Sequence, residues 1–273
     1  MDIPSISLIS EDFCRNVEYI FTDIDDTITT EGMMPASTLE DVWRLSSAGI
    51  SVVLVTGRPA GWCDYFARMW PISGIIGENG AFYFSYDKEL KKMTRVYLQT
   101  DSERKSGKER LDKLSKRVLL EVPGCGISAD QPFRIADLAI DFCEDVAPLE
   151  DYAIDNICRI IEEEGAVYKV SSIHINCWYG DYDKLICFNR FLIDFTGNTL
   201  QGMQDKVIYI GDSPNDEPMF EKLKYSVAVH NIVNFLDRMD SFPAYKSSKD
   251  SGEGFKEIVE TILSKRGYYP VYD

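Results

Sequence analysis

The sequence predicts an α/β fold: a doubly wound, Rossmann-like parallel sheet carrying an inserted α+β cap. Two observations predict it. Short apolar runs suited to buried parallel strands recur at Tyr19 to Thr22, Ile50 to Val55, Gly74 to Ile76, Val207 to Ile210 and Ser226 to Val229. Amphipathic helical patterns stand between several of them, Ser37 to Ser47 after Pro35 and Pro59 to Met69 among them. The middle of the chain follows another pattern. A charged helix around Glu103 to Leu120, a strand-like Arg134 to Phe142, a helix from Leu149 to Glu164 and an alternating strand from Ala166 to Trp178 form a separate α+β unit. The expected division is a core of residues 1–85 and 181–273 with a cap of residues 86–180, hinged near Ser85 to Asp87 and Gly180 to Asp183. Lys184 to Phe195 and a stretch near Phe255 to Leu263 return to helical patterns of the core.

Bulk properties narrow the function. Of 273 residues, 45% are hydrophobic, ample for a folded core. With 45 acidic against 29 basic residues the formal net charge is -16, which disfavours nucleic acid and anionic membranes as partners. The seven cysteines form no CxxC pair and only His174 and His230 could join them, so zinc is not expected and reduced thiols in the cytoplasm are. No stretch reaches the length of a membrane span, and the N-terminus lacks the pattern of a secretory signal.

Three proposed strands end in groups suited to phosphoryl transfer. EYIFTDIDDT supplies Asp23 and Asp25, SVVLVTGR supplies Thr56, and KVIYIGDSPND supplies Asp212 and Asp216. In a parallel sheet those ends share one edge. Carboxylates gathered there repel one another unless a cation sits among them, and oxygen donors suit Mg2+. Asp23 is placed to attack phosphorus, and Asp25 to protonate the leaving alcohol and later deprotonate water. Thr56 also suits the cap of the helix after Pro59, but sharing an edge with Asp23 favours binding of phosphoryl oxygens. Lys184 stands at a helix start, a poor place for an unpaired cation, and is read as a second phosphate binder. Asp212 is expected on the metal, with Asp216 beside it as a ligand or an anchor.

These four motifs in order resemble the haloacid dehalogenase-like superfamily of phosphatases. The position of the insertion, IGENGA at Ile76 to Ala81 and the ending SVAVHN to GEGF are similar to the C2-capped subclass IIB, the Cof-like and sugar-phosphate phosphatase group. The resemblance implies that Asp23 is nucleophile and metal ligand, Asp25 acid/base with its backbone carbonyl on the metal, Thr56 and Lys184 phosphate binders, and Asp212 and Asp216 metal residues. It also implies a small phosphorylated substrate, a sugar or related metabolite. A sugar phosphomutase and a non-catalytic binding protein on the same fold are the alternatives. Asp26 stands where many members have Gly, at the turn after the acid/base.

In the cap, His174, Asn176 and Trp178 alternate with apolar residues and are expected to face the substrate together, Asn176 bonding hydroxyls and Trp178 stacking on a sugar. Arg134, Asp137 and Asp141 read as strand-surface or salt-bridge residues. Asn79 and Gly80 read as a tight turn bordering the site. Arg58 is expected near the phosphate or paired with an acid.

Overall fold

The computed structural model describes residues 3–171 and 173–268. The first two and last five residues of the expected core, and Ser172 within the expected cap strand, lie outside the described residues. In chain order the strands are β1 Tyr19–Thr22, β2 Ser51–Val55, β3 Gly74–Gly77, β4 Phe82–Asp87, β5 Lys92–Tyr97, β6 Gly126–Ile127, β7 Leu138–Asp141, β8 Val167–Val170, β9 His174–Trp178, β10 Val207–Gly211, β11 Ser226–Ala228 and β12 Tyr245–Lys246. The helices are α1 Glu11–Asn16, α2 Ala36–Ser47, α3 Ala60–Met69, α4 Asp101–Glu121, α5 Asp151–Glu163, α6 Lys184–Thr196, α7 Leu200–Met203, α8 Glu217–Lys222 and α9 Ser251–Arg266.

The large sheet has the order β12-β11-β10-β1-β2-β3-β4-β5, parallel from β12 to β3 and antiparallel thereafter. Its central strands are apolar throughout because both faces are covered. Ile20, Val52, Leu54, Ile208 and Ile210 pack with α2, α3 and α9, while the alternate residues Phe21, Val53, Val55 and Tyr209 pack with α6 and α8. From β1 the chain steps to β2 on one side, and β10 returns on the other. The crevice at the carboxyl ends of β1 and β10 is therefore the topological switch point, where such sheets bind ligands.

The smaller sheet, β6-β7-β9-β8, is antiparallel. Its Leu138, Ile140, Ile175 and Cys177 pack with α4 and α5 in a separate apolar cluster, leaving the opposite face toward the core. The single strand expected from Ala166 to Trp178 is instead two, β8 and β9, paired as a hairpin with Val170 opposite Ile175. The strand expected from Arg134 begins only at Leu138, because the chain before it turns to contact the core.

The expected boundary at residues 85 and 86 also shifts. Tyr86 and Asp87 finish β4, and β5 extends the same large sheet, so the chain leaves that sheet only after Tyr97. The polar outer residues of β5, Lys92, Thr94 and Arg95, hide its pairing in the sequence. Where the chain enters and leaves the small sheet, Gln99 Nε2 donates to the Tyr179 carbonyl at 2.8 Å, holding the two crossings side by side.

Asn79 and Gly80 do turn the chain, between antiparallel β3 and β4, with φ of 55° and 105°. Gly80 has a further reason to be glycine: a Cβ there would stand 2.0 Å from the Asp183 carbonyl oxygen, immediately before Lys184. We predict that Gly80→Ala lowers stability by at least about 2 kcal/mol in urea unfolding, through left-handed strain and this clash. A change within about 0.5 kcal/mol would contradict the stated packing.

Candidate active site

The sequence folds so that β1 and β10, hydrogen-bonded neighbours, each end in an aspartate. The Asp23 amide continues the β1–β10 ladder by donating to the Ile210 carbonyl at 2.9 Å, which fixes Asp23 at the crevice. Asp212 follows β10 directly. The carboxylate oxygens of Asp23, Asp212 and Asp216 come within 4.8 Å of one another, and all three residues are buried.

Each carboxylate is held differently. Asp216 is fully buried and accepts from Lys184 Nζ at 3.0 Å, from the Tyr209 hydroxyl and from the Asp212 amide at 3.0 Å. The strand end at Gly211 must be glycine for this, since a Cβ would lie 2.3 Å from Asp216 Oδ2. Asp212 accepts from Thr27 Oγ1 at 3.1 Å and from Asn231 Nδ2 at 3.3 Å. Asp23 accepts from Lys184 Nζ at 3.2 Å. Lys184 opens α6, whose N-cap is Asp183, and its ammonium is drawn back between two acids.

The electrostatics reflect this crowding. Burial pushes the Asp23 carboxyl up to about 7; Lys184 pulls it down, while Asp216 and Asp25 push it up. Burial, and then the charges of Asp216 and Asp23, raise Asp212 well above the usual carboxylate range. Lys184 is raised despite its burial because Asp216 and Asp23 favour the ammonium. Three buried acids are gathered here with one ammonium, which pairs with only Asp23 and Asp216, and the donors are hard oxygens. That donor set fits a divalent cation such as Mg2+.

Above this floor lies a cavity of about 550 Å³ between core and cap. Asp23, Asp25 and Asp212 line it from the core and His174 and Asn176 from the cap, whereas Thr56, Lys184 and Asp216 lie buried behind its wall. Thr56 Oγ1 accepts the Arg58 amide at 3.0 Å. Asp25 is gripped by the Arg58 guanidinium, Nη2 at 2.7 Å and Nε at 3.1 Å, so Arg58 pairs with the acid. The same guanidinium lies 3.8 Å from Glu144 of the cap and over the Trp62 ring. Asp26 adopts φ of 55°, the left-handed region that glycine enters more readily.

Trp178 does not reach the cavity. It faces the core as the alternation requires, but its ring is 1% exposed, stacked on Tyr182 at 5.6 Å with Nε1 donating to the Tyr182 carbonyl. The expected sugar platform is thus part of the apolar packing between cap and core. Asn176 donates to Asp137 at 3.0 Å, and His174 Nε2 stands 2.9 Å from Glu144 at an angle that makes no hydrogen bond. Burial lowers the His174 pKa, favouring the neutral ring.

Glu78, Tyr209, Thr27 and Asn231 lie within the quoted motifs, yet none of them is assigned a role from the sequence. Glu78 is buried and accepts the Ala60 amide at the start of α3 at 2.9 Å, and the Ile135, Ala136 and Asp137 amides of the cap at 3.0, 2.7 and 3.1 Å. Arg134, expected as a strand-surface or salt-bridge residue, is the latter and is buried. It donates to the Gly57 carbonyl at 2.9 Å while pairing with Asp130 and Asp137. Asp141 accepts the amides of Cys143, Glu144 and Asp145 and shapes the turn after β7.

Residues 20–114 and 190–237, more than half the chain, match the haloacid dehalogenase-like hydrolases, and the chain belongs to that family. A phosphoglycolate phosphatase of Methanobrevibacter smithii is 26% identical over 256 residues, covering 91% of this chain and 99% of its own. Phosphoglycolate phosphatase 1 of Saccharolobus solfataricus is 24% identical over 252 residues, covering 90% and 96%. Among solved structures, protein 0175 of Thermoplasma acidophilum superposes with a TM-score of 0.67 at 19% identity over 90% of this chain and 98% of that one. The sucrose-phosphatase of Synechocystis, solved with sucrose and phosphate, gives 0.62 at 13% identity over 94% and 100%. The protein is an enzyme of the phosphatase class, and no helix among the described residues is long and apolar enough to cross a membrane.

The Glu78 contacts predict a local effect. Glu78→Ala should strip three cap amides of their acceptor, costing roughly 3 kcal/mol. Hydrogen exchange at Ile135 to Asp137 should accelerate more than in β1 and β10; an equal change in all of them would contradict a cap–core tie at this carboxylate.

Proposed function

We propose that this enzyme is a Mg2+-dependent phosphomonoester hydrolase that forms an aspartyl-phosphate on Asp23 and acts on a small phosphorylated metabolite. The single observation that carries this reading is Asp23 itself: a buried carboxylate at the switch point, facing a cavity, with the Lys184 ammonium at 3.2 Å behind it and Asp25 beside it. Names of the phosphoglycolate phosphatases that align along most of their length support a small substrate.

A Asp23 carboxylate oxygen attacks phosphorus, the bond from phosphorus to the ester oxygen breaks, and Asp25 gives its proton to the departing alcohol. Water then attacks the phosphoryl group on Asp23, Asp25 takes the proton, and inorganic phosphate leaves with the Asp23 carboxylate restored. Arg58 holds the Asp25 carboxylate in place beside Asp23 through its Nη2 and Nε contacts. Lys184 and the Thr56 hydroxyl hold phosphoryl oxygens. Asp23, Asp212 and the Asp25 carbonyl would hold Mg2+, which supplies positive charge opposite the phosphoryl oxygens. Asp216, saturated by Lys184, Tyr209 and the Asp212 amide, is read as the anchor that orients them.

We divide the chain into a core that runs through Tyr97 and resumes after Gly180, and a cap between them that roofs the site. His174 and Asn176 are its substrate-side residues. Seven cysteines, an odd number scattered without a CxxC pair, support a cytoplasmic setting.

Asp23→Asn should lower kcat by roughly 10⁴-fold with Mg2+ and p-nitrophenyl phosphate. EDTA should abolish phosphate release, and added Mg2+ restore it. Activity that survives both treatments would exclude this chemistry.

A further inference from the structure

The Arg58 guanidinium is held on three sides. Nη2 donates to Asp25 Oδ1 at 2.7 Å and Nε to both carboxylate oxygens at 3.1 Å, while Cζ lies 4.7 Å from the centre of the Trp62 ring. The remaining nitrogen, Nη1, is outside this fork and stands 3.8 Å from Glu144 Oε1 of the cap. Among the described residues Arg58 is the only donor to the Asp25 carboxylate. Whatever fixes the plane of this guanidinium therefore fixes the direction of Asp25.

Glu144 is itself aimed. It follows β7, in the turn where the buried Asp141 carboxylate accepts its amide at 2.8 Å. Its Oε2 stands 2.9 Å from Nε2 of buried His174 on β9, which leaves Oε1 toward the core. Arg58 and His174, on either side of it, line the cavity, and Glu144 does not. It is thus placed behind the wall, in reach of two lining side chains and out of reach of a substrate. The ties between cap and core at Glu78 and Arg134 end on backbone groups, whereas this one ends on the side chain that holds Asp25.

We propose that Glu144 is a positioning residue for the reaction: with the cap over the core it steadies Arg58 from behind, and through Arg58 it keeps the Asp25 carboxyl aimed at the ester oxygen. This rests on the phosphohydrolase reading, in which Asp25 is the acid/base. A free arginine side chain samples many rotamers, and its planar fork is useful only when the plane is set. The Trp62 ring supports one face of that plane, and the Glu144 charge draws Nη1 across a gap at which opposite charges still attract. Without Glu144 the guanidinium can tilt out of the plane of the Asp25 carboxylate, and hydrogen bonds weaken steeply as they bend. The acid/base is then fully supported only when the cap lies over the core, although Glu144 itself touches no substrate.

The test compares two esters of similar shape at fixed Mg2+ by phosphate release. p-Nitrophenyl phosphate loses a stabilised anion that needs little help from an acid, whereas phenyl phosphate loses a phenolate of pKa about 10, which departs more readily with a proton. Values of kcat/KM cover the steps through cleavage of the ester bond, and so report the first task of Asp25. In Glu144→Gln we expect kcat/KM to fall about fivefold for phenyl phosphate and less than about twofold for p-nitrophenyl phosphate. Arg58→Lys keeps the charge and loses the fork, so it should show the same selective fall. Adding Glu144→Gln to it should change the ratio between the esters by less than about twofold, because the two side chains act in series. Unchanged turnover of phenyl phosphate in Glu144→Gln, an equal fall for both esters, or a Glu144→Gln effect that persists in full in Arg58→Lys would overturn the positioning role and leave the hydrolase intact. Phosphate released from neither ester by the unaltered enzyme would remove the hydrolase reading and this one with it.

Discussion

Three buried carboxylates gathered beside one ammonium, which pairs with only two of them, are the constraint around which the rest of the molecule is arranged. The carboxylates of Asp23, Asp212 and Asp216 come within 4.8 Å of one another, and Lys184 pairs with Asp23 and Asp216. An uncompensated buried ion costs several kcal/mol, and the donors around Asp212 and Asp216 lower that cost. Tyr209 and the Asp212 amide saturate Asp216, while Thr27 and Asn231 steady Asp212. Because the sheet places β1 and β10 side by side, the acids cannot move apart without breaking the central ladder. The excess of negative charge suits a cation, the place we propose for Mg2+.

The cap is fixed over this site by polar contacts as well as apolar ones. Glu78 gathers three cap amides and the first amide of α3, and Arg134 reaches from the cap to the Gly57 carbonyl. Burial, reinforced by Asp137, raises the Glu78 carboxyl to about 8, while Arg134 and the amides pull it down. Gly57 lies between Thr56 and Arg58, so the cap touches the segment that carries both. Arg58 extends the link, from Asp25 in the core toward Glu144, which adjoins His174. One guanidinium thus reaches from Asp25 in the core to Glu144 in the cap.

Much of the core was legible in the sequence because a doubly covered strand leaves an unbroken apolar run, and its final carboxylate then stands out. That is why β1, β2 and β10 and the residues Asp23, Asp25, Thr56, Asp212 and Asp216 could be found, and why Lys184 was suspicious at a helix start. Strands with one wet face were harder. The hairpin β4–β5 and the division of residues 166–178 into β8 and β9 depend on pairing partners that local periodicity does not name. Trp178 alternated correctly with His174 and Asn176, yet alternation gives a face and not the neighbour it meets, here Tyr182. Glu78 and Tyr209 were illegible for the same reason: their roles exist only through contacts with groups distant in the chain or bent back toward them.

The central claim is that Asp23 itself becomes phosphorylated. A single turnover in ¹⁸O-labelled water, with enzyme in excess over substrate and Mg2+ present, should leave the label in inorganic phosphate and none in the Asp23 carboxylate. A burst quenched in acid should show a phosphoryl group on the peptide that carries Asp23. Label in the phosphate with no phosphorylated peptide at any quench time, in an enzyme that turns over normally, would mean that water attacks the ester directly and would contradict the account.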